Sequence, residues 1–371
     1  MILTQCAVCA TELGLSLGKK CGRCSTRYCG PECQVQHWQE GGHDQLCKKI
    51  KKAGGAEQYN ANKRYTEAVV VAAEACAEDT KGQTCFICTQ ALHWKTKEGL
   101  VRGCACRGTA GFVHVSCLAE QAKILMDEAE ANNLGIEVKA PTILRFQTCS
   151  LCEQNHHGVV LHALGWACWK TYVGRPETDG SRSLAMKLLA NGLFAVKRHD
   201  EQITVLEAEM DTKRRLGLPE AAFLDSKAEM ANLYNEIGRY EEALELQREV
   251  YAKSKSLGYP DSFKYANNLA TSFLTCKLYE EGKSFLRARI PEATREHGPE
   301  HMSVLFLRIN YASILGSEAR SRDDLVEAVA LLEELSSTAR RVLGAAHPTT
   351  MTINGNLESA RSKLASFAAA P

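Results

Sequence analysis

The stretch YCGPECQVQHWQEGGHDQLC, from Tyr28 to Cys47, gathers three cysteines and two histidines into twenty residues. Two CxxC pairs precede it, and the resulting series has four pairs of soft ligands, enough for two tetrahedral zinc sites. The segment has few aliphatic residues for a core, so zinc is predicted to supply its folding free energy, about 10 kcal/mol or more per site. The four pairs are Cys6-x2-Cys9, Cys21-x2-Cys24, Cys29-x3-Cys33 and His43-x3-Cys47.

The composition of the whole chain also indicates metal binding by its cysteines. It has 371 residues, of which 17 are cysteines. The 45 Lys and Arg nearly balance the 44 Asp and Glu, so the net charge does not favour binding to nucleic acid or to an acidic membrane. We find no apolar run of roughly 18 residues and no secretory signal in the opening MILTQCAVCA. The expected location is therefore cytoplasmic or nuclear, where clustered cysteines bind metal rather than form disulfides.

The first cluster closely resembles the MYND finger over about 42 residues, through CAVC, CGRC, YC-x3-C, HW and H-x3-C. The resemblance implies interleaved ligand pairs. Because eight ligands leave no position for water on two zinc ions, both sites are expected to be structural rather than catalytic. It leaves out His37, which we expect to be a packing residue. One zinc would be bound by Cys6, Cys9, Cys29 and Cys33, and the other by Cys21, Cys24, His43 and Cys47.

The MYND family binds short proline-rich peptides of partner proteins. Gln34 and Trp38 match the helix that contacts the peptide in that family. An alternative is that Trp38 only covers the second zinc. Both interpretations remain open from the sequence.

The second cluster resembles the RING-CH variant of the RING finger. CFIC, CAC, a histidine as the fifth ligand and the segment GFVHVSCL carry this resemblance. It implies a cross-brace with two further zinc ions, four in the whole chain. The predicted ligand sets are Cys85, Cys88, His114 and Cys117 for one ion, and Cys104, Cys106, Cys149 and Cys152 for the other.

RING-type domains recruit a ubiquitin-conjugating enzyme that carries ubiquitin as a thioester. Ile87 matches the apolar position that contacts this enzyme in the family. The alternative is that Ile87 only fills the core of its loop. Three features depart from a ligase. The segment after Cys117 lacks the usual tryptophan, and EQNHHG after Cys152 lacks the basic residue that braces ubiquitin. The gap of 31 residues before Cys149 is long, and we expect a helix plus an extended piece there.

The segments around the second finger read as helices. One helix is predicted from about Ala56 to Glu78. The basic run KKIKK precedes it, and we interpret its lysines as a solvated helix end rather than a nuclear-import signal. HGVVLHALGWACWKTYVG is predicted to close the finger as a helix with a buried Cys168. GRPETDGS, residues 174–181, indicates a linker.

The last half of the chain is repetitive. Alanines, helix-stopping glycines and tyrosines recur at intervals of 39 to 41 residues, which resembles tetratricopeptide repeats of the kinesin-light-chain-like type. SEARSRDD is predicted to lengthen the last turn, before a final capping helix. The recurring residues are Ala190, Ala231 and Ala270, Gly217, Gly258 and Gly298, and Tyr240 and Tyr279. Three asparagines on first helices could contact a bound backbone or be solvated: Asn232, Asn267 and Asn268.

The predicted fold is mainly α: two small zinc-stabilised cross-brace fingers followed by an α-solenoid. The domains expected are a MYND-type finger (1–50), a helical linker (51–82), a RING-CH-like finger with a helical extension (83–175) and helical repeats (183–368). The predicted function is a zinc-binding adaptor for partner proteins and peptides. The alternative is a soluble RING-CH-type ubiquitin ligase. We expect no nucleic-acid partner, since the net charge is +1 and no finger helix carries interleaved basic residues. We expect no membrane partner, since no apolar run is long enough to span a bilayer.

Overall fold

The computed structural model describes residues 4–14, 17–259, 262–318, 322–343 and 348–368. The chain forms two compact units, Met1–Leu218 and Pro219–Pro371. Helices dominate both units, and the strands of the described residues form one short antiparallel pair. The mainly α fold with two cysteine-rich fingers and helical repeats is confirmed. Within the described ranges, no helix has the length and apolar character needed to cross a bilayer.

The first unit contains both cysteine clusters and the helices around them. Two fingers with little regular structure are attached to longer helices. Its elements are β1 (Lys19–Lys20), β2 (Arg27–Tyr28), α1 (Pro31–Gln39), α2 (His43–Lys52), α3 (Ala56–Ala75), α4 (Val115–Ala131), α5 (Ile136–Ile143), a 3-10 turn (Leu144–Phe146), α6 (Gly158–Tyr172), α7 (Gly180–Ala195) and α8 (His199–Arg215).

The first finger is held by one buried arginine as well as by its cysteines. Arg27, on β2, is 6% exposed and donates hydrogen bonds to the backbone carbonyls of Leu13, Gly14 and Leu17. A buried guanidinium needs such acceptors, because an unpaired buried charge is costly. Arg27 therefore joins β2 to the loop that precedes β1.

Helix α6 is the centre of the first unit and packs against α3, α4 and α7. Its apolar residues face several neighbours at once, so Trp166, Trp169 and Tyr172 are all buried. The predicted helix is therefore present, and Cys168 within it is fully buried. Burial raises the pKa of the Cys168 thiol well above its usual value.

The extended piece expected before Cys149 is wrong. That region folds as α5 and a 3-10 turn, which follow α4. The reason is tertiary packing, because the helical course buries Ile143 and Phe146 against the core of the unit. The Phe146 ring meets the Tyr172 ring edge-on, with centroids 6.1 Å apart. The predicted helix at Ala56 is present and ends at Ala75, three residues earlier than expected.

The second unit is a series of helical pairs. Each helix packs against its neighbour in the chain, and α11 also packs against α9 and α13, so first helices of successive pairs meet. Its elements are a 3-10 turn (Glu220–Phe223), α9 (Leu224–Glu236), α10 (Tyr240–Ser256), α11 (Ser262–Thr275), α12 (Tyr279–His297), α13 (Met302–Glu318), α14 (Arg322–Leu343) and α15 (Pro348–Ala368).

Small residues set the distance between these helices, as the repeat pattern predicted. Ala231, Ala243 and Ala270 are fully buried. A Cβ atom added to Gly282, on α12, would lie 2.7 Å from Cδ1 of Ile314 on α13. The predicted final helix is present as α15, which packs against α13 and α14. Part of SEARSRDD, residues 319–321, lies outside the described residues.

Candidate metal centres and the grooves beside them

The first metal centre consists of the sulfur atoms of four cysteines. The Sγ atoms of Cys9 and Cys29 are 3.5 Å apart, and Cys33 Sγ lies 3.5 Å from that of Cys29. A tetrahedron of sulfurs at the usual Zn–S distance has edges of about 3.8 Å, whereas a disulfide would need about 2.05 Å. The geometry therefore fits zinc. The set is Cys6, Cys9, Cys29 and Cys33, whose ligand atoms lie within 4.8 Å of one another.

The second centre is fully buried and includes one histidine. The Nε2 atom of His43 lies 3.4 Å from Cys24 Sγ, and Cys21 Sγ lies 3.9 Å from Cys47 Sγ. Burial lowers the pKa of His43, which keeps the imidazole neutral, the form that binds metal. The set that the structure brings together is Cys21, Cys24, His43 and Cys47.

His37 lies beside this centre but outside its ligand set. Its Nδ1 atom is 3.0 Å from the Tyr28 hydroxyl, and its ring centroid is 4.9 Å from that of His43. Its contacts are those of a packing residue that helps to orient the aromatic groups around the second centre.

The third centre has one ligand from a helix terminus. His114 directly precedes α4, and its Nδ1 atom lies 3.3 Å from Cys88 Sγ and 3.6 Å from Cys117 Sγ. The other ring nitrogen, Nε2, lies 3.3 Å from the carbonyl oxygen of Ala91. Such a second contact fixes the tautomer and the orientation of a ligand imidazole. The set is Cys85, Cys88, His114 and Cys117.

The fourth centre depends on one glycine. Gly111 has φ of +85°, and a Cβ atom there would lie 2.6 Å from Cys106 Cβ and 3.1 Å from Cys106 Sγ. Only glycine combines that backbone conformation with that approach to a ligand. The sulfur atoms of Cys106 and Cys149 are 3.8 Å apart. The set is Cys104, Cys106, Cys149 and Cys152.

The four sets share one chemical character. Each supplies four thiolate or imidazole ligands, which leaves a tetrahedral zinc ion no position for water or substrate. The ligand pairs alternate along the chain in both fingers, so each ion joins segments that are distant in sequence. These centres therefore stabilise the fingers and supply no catalytic group.

Helix α1 presents the predicted peptide-contacting residues of the first finger. Trp38 is 44% exposed, while its ring meets the His43 ring at a centroid distance of 5.8 Å. Gln34 is half-buried one turn earlier, and Val35 beside it is exposed. Trp38 therefore packs on a ligand of the second centre and also offers a surface to solvent.

Ile87 lies at the edge of an apolar pocket of about 380 Å³ in the second finger. The pocket is also lined by Trp94 from the following loop and by Ile124 and Leu125 from α4. Trp94 is 67% exposed and was not among the residues predicted from the sequence. The feature of the sequence that could have indicated Trp94 is the placement of a tryptophan within the polar segment HWKTKE.

The loop that carries Trp94 is held by hydrogen bonds at both ends. The backbone N–H of His93 donates to the carbonyl of Glu98 at 3.0 Å, and the N–H of Lys97 donates back to the carbonyl of His93 at 2.9 Å. His93 Nδ1 also accepts from the N–H of Thr96 at 3.1 Å. Trp94 therefore projects from a closed turn, which lowers the entropic cost of a contact through its ring.

The asparagines of the repeats mostly bond within the repeats. Asn310 Nδ2 donates to Asn267 Oδ1 at 2.7 Å, which joins α13 to α11. Asn232 Oδ1 accepts from Gln247 Nε2 at 3.0 Å, within the pair of α9 and α10. Asn268 is half-buried. Both alternatives drawn from the sequence overlooked this third role, hydrogen bonding between repeat helices.

Three family models match parts of the chain. Residues 6–47 match the MYND finger, residues 85–133 the RING-variant domain, and residues 223–257 and 309–349 the tetratricopeptide repeat. The RING-variant match ends before the ligand pair of Cys149 and Cys152, which the structure brings back to the finger. The chain is therefore a zinc-binding protein built from modules that mediate protein–protein interaction.

Solved structures with related helices include tetratricopeptide-like repeats of a putative kinesin light chain from Podosopora anserina. That chain is 19% identical, with 62% of this chain and 98% of that chain covered and a TM-score of 0.39. BtubC (BKLC) from P. vanneervenii is 14% identical, with coverages of 69% and 93% and a TM-score of 0.38. A search of curated proteins gave no match.

Proposed function

We propose that the chain is a zinc-stabilised adaptor that holds partner proteins through its first finger and its helical repeats. The observation that carries the proposal is Trp38, a large aromatic side chain that is exposed although it is anchored against the His43 ring. Rigid, partly exposed tryptophans are frequent anchors of protein–protein contacts. A proline-rich peptide suits such a surface, because its polyproline II conformation is already ordered before binding.

Binding of a labelled proline-rich peptide tests this role. We expect Trp38→Ala to weaken the affinity of the full chain at least about tenfold, because an aromatic anchor is lost. Gln34→Ala should have a smaller effect. Trp94→Ala is the matched control, since it removes an exposed tryptophan elsewhere. Zinc content must remain at the wild-type value in each variant, and an unchanged affinity of Trp38→Ala would assign that residue to packing alone.

A second candidate function is ubiquitin ligation, and the groove beside Ile87 favours it. Trp94 lines the same pocket as Ile87, and in a ligase it would take the role of the tryptophan that the sequence lacks after Cys117. The groove would receive a ubiquitin-conjugating enzyme, and the ligase would contribute positioning rather than a nucleophile. The other modules would then select the substrate.

Ubiquitin transfer in a reconstituted mixture distinguishes the two candidates. The mixture contains the full chain, an activating enzyme and a panel of conjugating enzymes. Ubiquitin chains that form with the wild type and are lost with Ile87→Ala and with Trp94→Ala would establish a ligase. Val70→Ala, an exposed change on α3, should retain transfer. Absence of transfer across the panel, with four zinc ions present, would count against the ligase.

A further inference from the structure

The apolar pocket at Ile87 continues into a second pocket of about 550 Å³. Four residues line both pockets, so the two form one groove: His93, Trp94, Ser116 and Glu120. We call it the Trp94 groove. Its first half is apolar, with Ile87, Ile124 and Leu125, whereas its second half contains lysines.

The lining of the second half of the Trp94 groove contains more lysines than acidic residues. Lys170, Lys95 and Lys123 line it, and Lys123 forms an ion pair with Asp127 on the same helix. The one acidic residue in its wall is Glu120, which is exposed. Because Asp127 already pairs with Lys123, Lys170 and Lys95 are the cations of this wall that remain for a carboxylate of a partner.

Lys170 is the most enclosed of these cations. It projects from α6, is half-buried, and its Nζ atom lies 4.1 Å from the centroid of the Tyr65 ring. Within the described part of the chain, no carboxylate oxygen lies within 4.0 Å of this Nζ. A partly desolvated ammonium held on an aromatic face attracts an anion more strongly than one fully in water.

Glu98 is the carboxylate whose charge acts on Lys170, and both of its oxygens already accept hydrogen bonds. Its Oε1 atom accepts from the N–H of Ser116, and its Oε2 atom accepts from the hydroxyls of Ser116 and Thr96. The Ser116 hydroxyl also lies 2.8 Å from the Tyr65 hydroxyl. These hydrogen bonds hold Ser116, Thr96 and Tyr65 in the wall of the groove, and Lys170 lines the same wall with no direct carboxylate partner among the described residues.

We propose that the Trp94 groove binds a partner segment in which an apolar side chain is followed closely by an aspartate or glutamate. The apolar side chain would enter the half lined by Ile87 and Ile124. The carboxylate would pair with Lys170, and the exposed Trp94 ring between the two halves would pack on the segment. This interaction is separate from peptide binding at Trp38 and requires no ubiquitin transfer.

Labelled nonapeptides test the proposal on the full zinc-loaded chain. In each peptide, one leucine is followed by glutamate after zero to three Gly or Ser residues, and a matched set has glutamine instead. At low salt we expect at least one glutamate peptide to bind about tenfold more tightly than its glutamine match. Lys170→Met keeps the side-chain stem on Tyr65 and should abolish that preference, whereas Trp94→Ala should weaken both peptides.

The controls separate this proposal from the others. Lys49→Met removes an exposed lysine on α2 and should leave the preference intact. Lys170→Met should leave Trp38-dependent binding of proline-rich peptides unchanged, because Lys170 does not line the surface around Trp38. The proposal is overturned if no peptide binds saturably up to about 1 mM, if glutamate and glutamine peptides bind equally, or if Lys170→Met retains the preference.

Discussion

The Glu98 carboxylate and Ser116 are joined by two hydrogen bonds, one from the Ser116 backbone N–H at 2.7 Å and one from its hydroxyl at 2.8 Å. Ser116 lies in the first turn of α4, where backbone N–H groups lack partners within the helix. Glu98 therefore caps α4 from outside the helix. It also anchors the loop that carries Trp94 next to the third metal centre.

The cap can be measured by Glu98→Ala. We expect this change to reduce the free energy of unfolding by about 1–2 kcal/mol, because the first turn loses an anionic cap. Denaturant unfolding at fixed free zinc provides the measurement. Glu78→Gln, an exposed change beyond the end of α3, should stay within about 0.5 kcal/mol of the wild type. Equal values for the two variants would contradict the capping role.

Zinc content tests the four metal centres. Metal analysis of the purified chain should give four ions, and Cys104→Ser should give three, because one ligand set is broken. A chelator strong enough to remove the zinc should unfold both fingers, as zinc binding supplies much of their folding free energy. A wild-type content of two ions would leave one finger without metal.

Gly111→Ala should empty the fourth centre without removing a ligand. The added Cβ would lie 2.6 Å from Cys106 Cβ, so the sulfur must move away from the centre. The matched control is Gly108→Ala, which also has a positive φ, +61°, but has nothing within 4 Å of the new atom. We expect three zinc ions in the first variant and four in the second. Four ions in both would show that the loop relaxes.

Protonation of His162 should reduce the free energy of unfolding in mild acid. It is 7% exposed and accepts a hydrogen bond from Trp166 Nε1 at 3.0 Å, and burial lowers its pKa to about 4. In the unfolded chain the His162 side chain has a pKa near 6.5, so it takes up a proton at a higher pH than in the folded protein. The contribution of neutral His162 to folding stability is therefore complete above pH 6.5 and declines as the pH falls toward 4. From pH 7 to pH 5 the loss is about 2 kcal/mol.

The measurement compares the wild type with His162→Gln at each pH, at fixed free zinc. The difference isolates His162 from the zinc ligands, which also take up protons in acid. We expect the free energy of unfolding of the wild type to fall more steeply than that of the variant. Parallel pH curves for the two proteins would assign no such role to His162.

The asparagine pair between α11 and α13 should stabilise the repeats. Asn310→Ala and Asn267→Ala should each reduce the free energy of unfolding of the second unit by about 1 kcal/mol, because the 2.7 Å hydrogen bond is lost. A double-mutant cycle should return a coupling energy of about 0.5–1.5 kcal/mol. Full additivity would show that the two side chains act separately.

The metal centres and the helical repeats could be predicted from local spacing. Ligand pairs two to four residues apart are dictated by the geometry of one tight turn or one helical turn around an ion. The 39- to 41-residue recurrence of small and aromatic residues reflects the packing of one helical pair on the next. The resemblance to the MYND finger left His37 outside the ligand sets, and in the structure it contacts Tyr28 rather than joining the four ligands of the second centre.

The tertiary structure decided which side chains line the Trp94 groove together. Nothing near Trp94 in sequence indicates that it shares a pocket with Ile87, or that Lys170, more than seventy residues later, lies in the same groove. The segment before Cys149 became helical because burial of Phe146 outweighed its local preference. Local spacing therefore specified the ligands and the repeat helices, whereas long-range packing decided which exposed groups face a common groove.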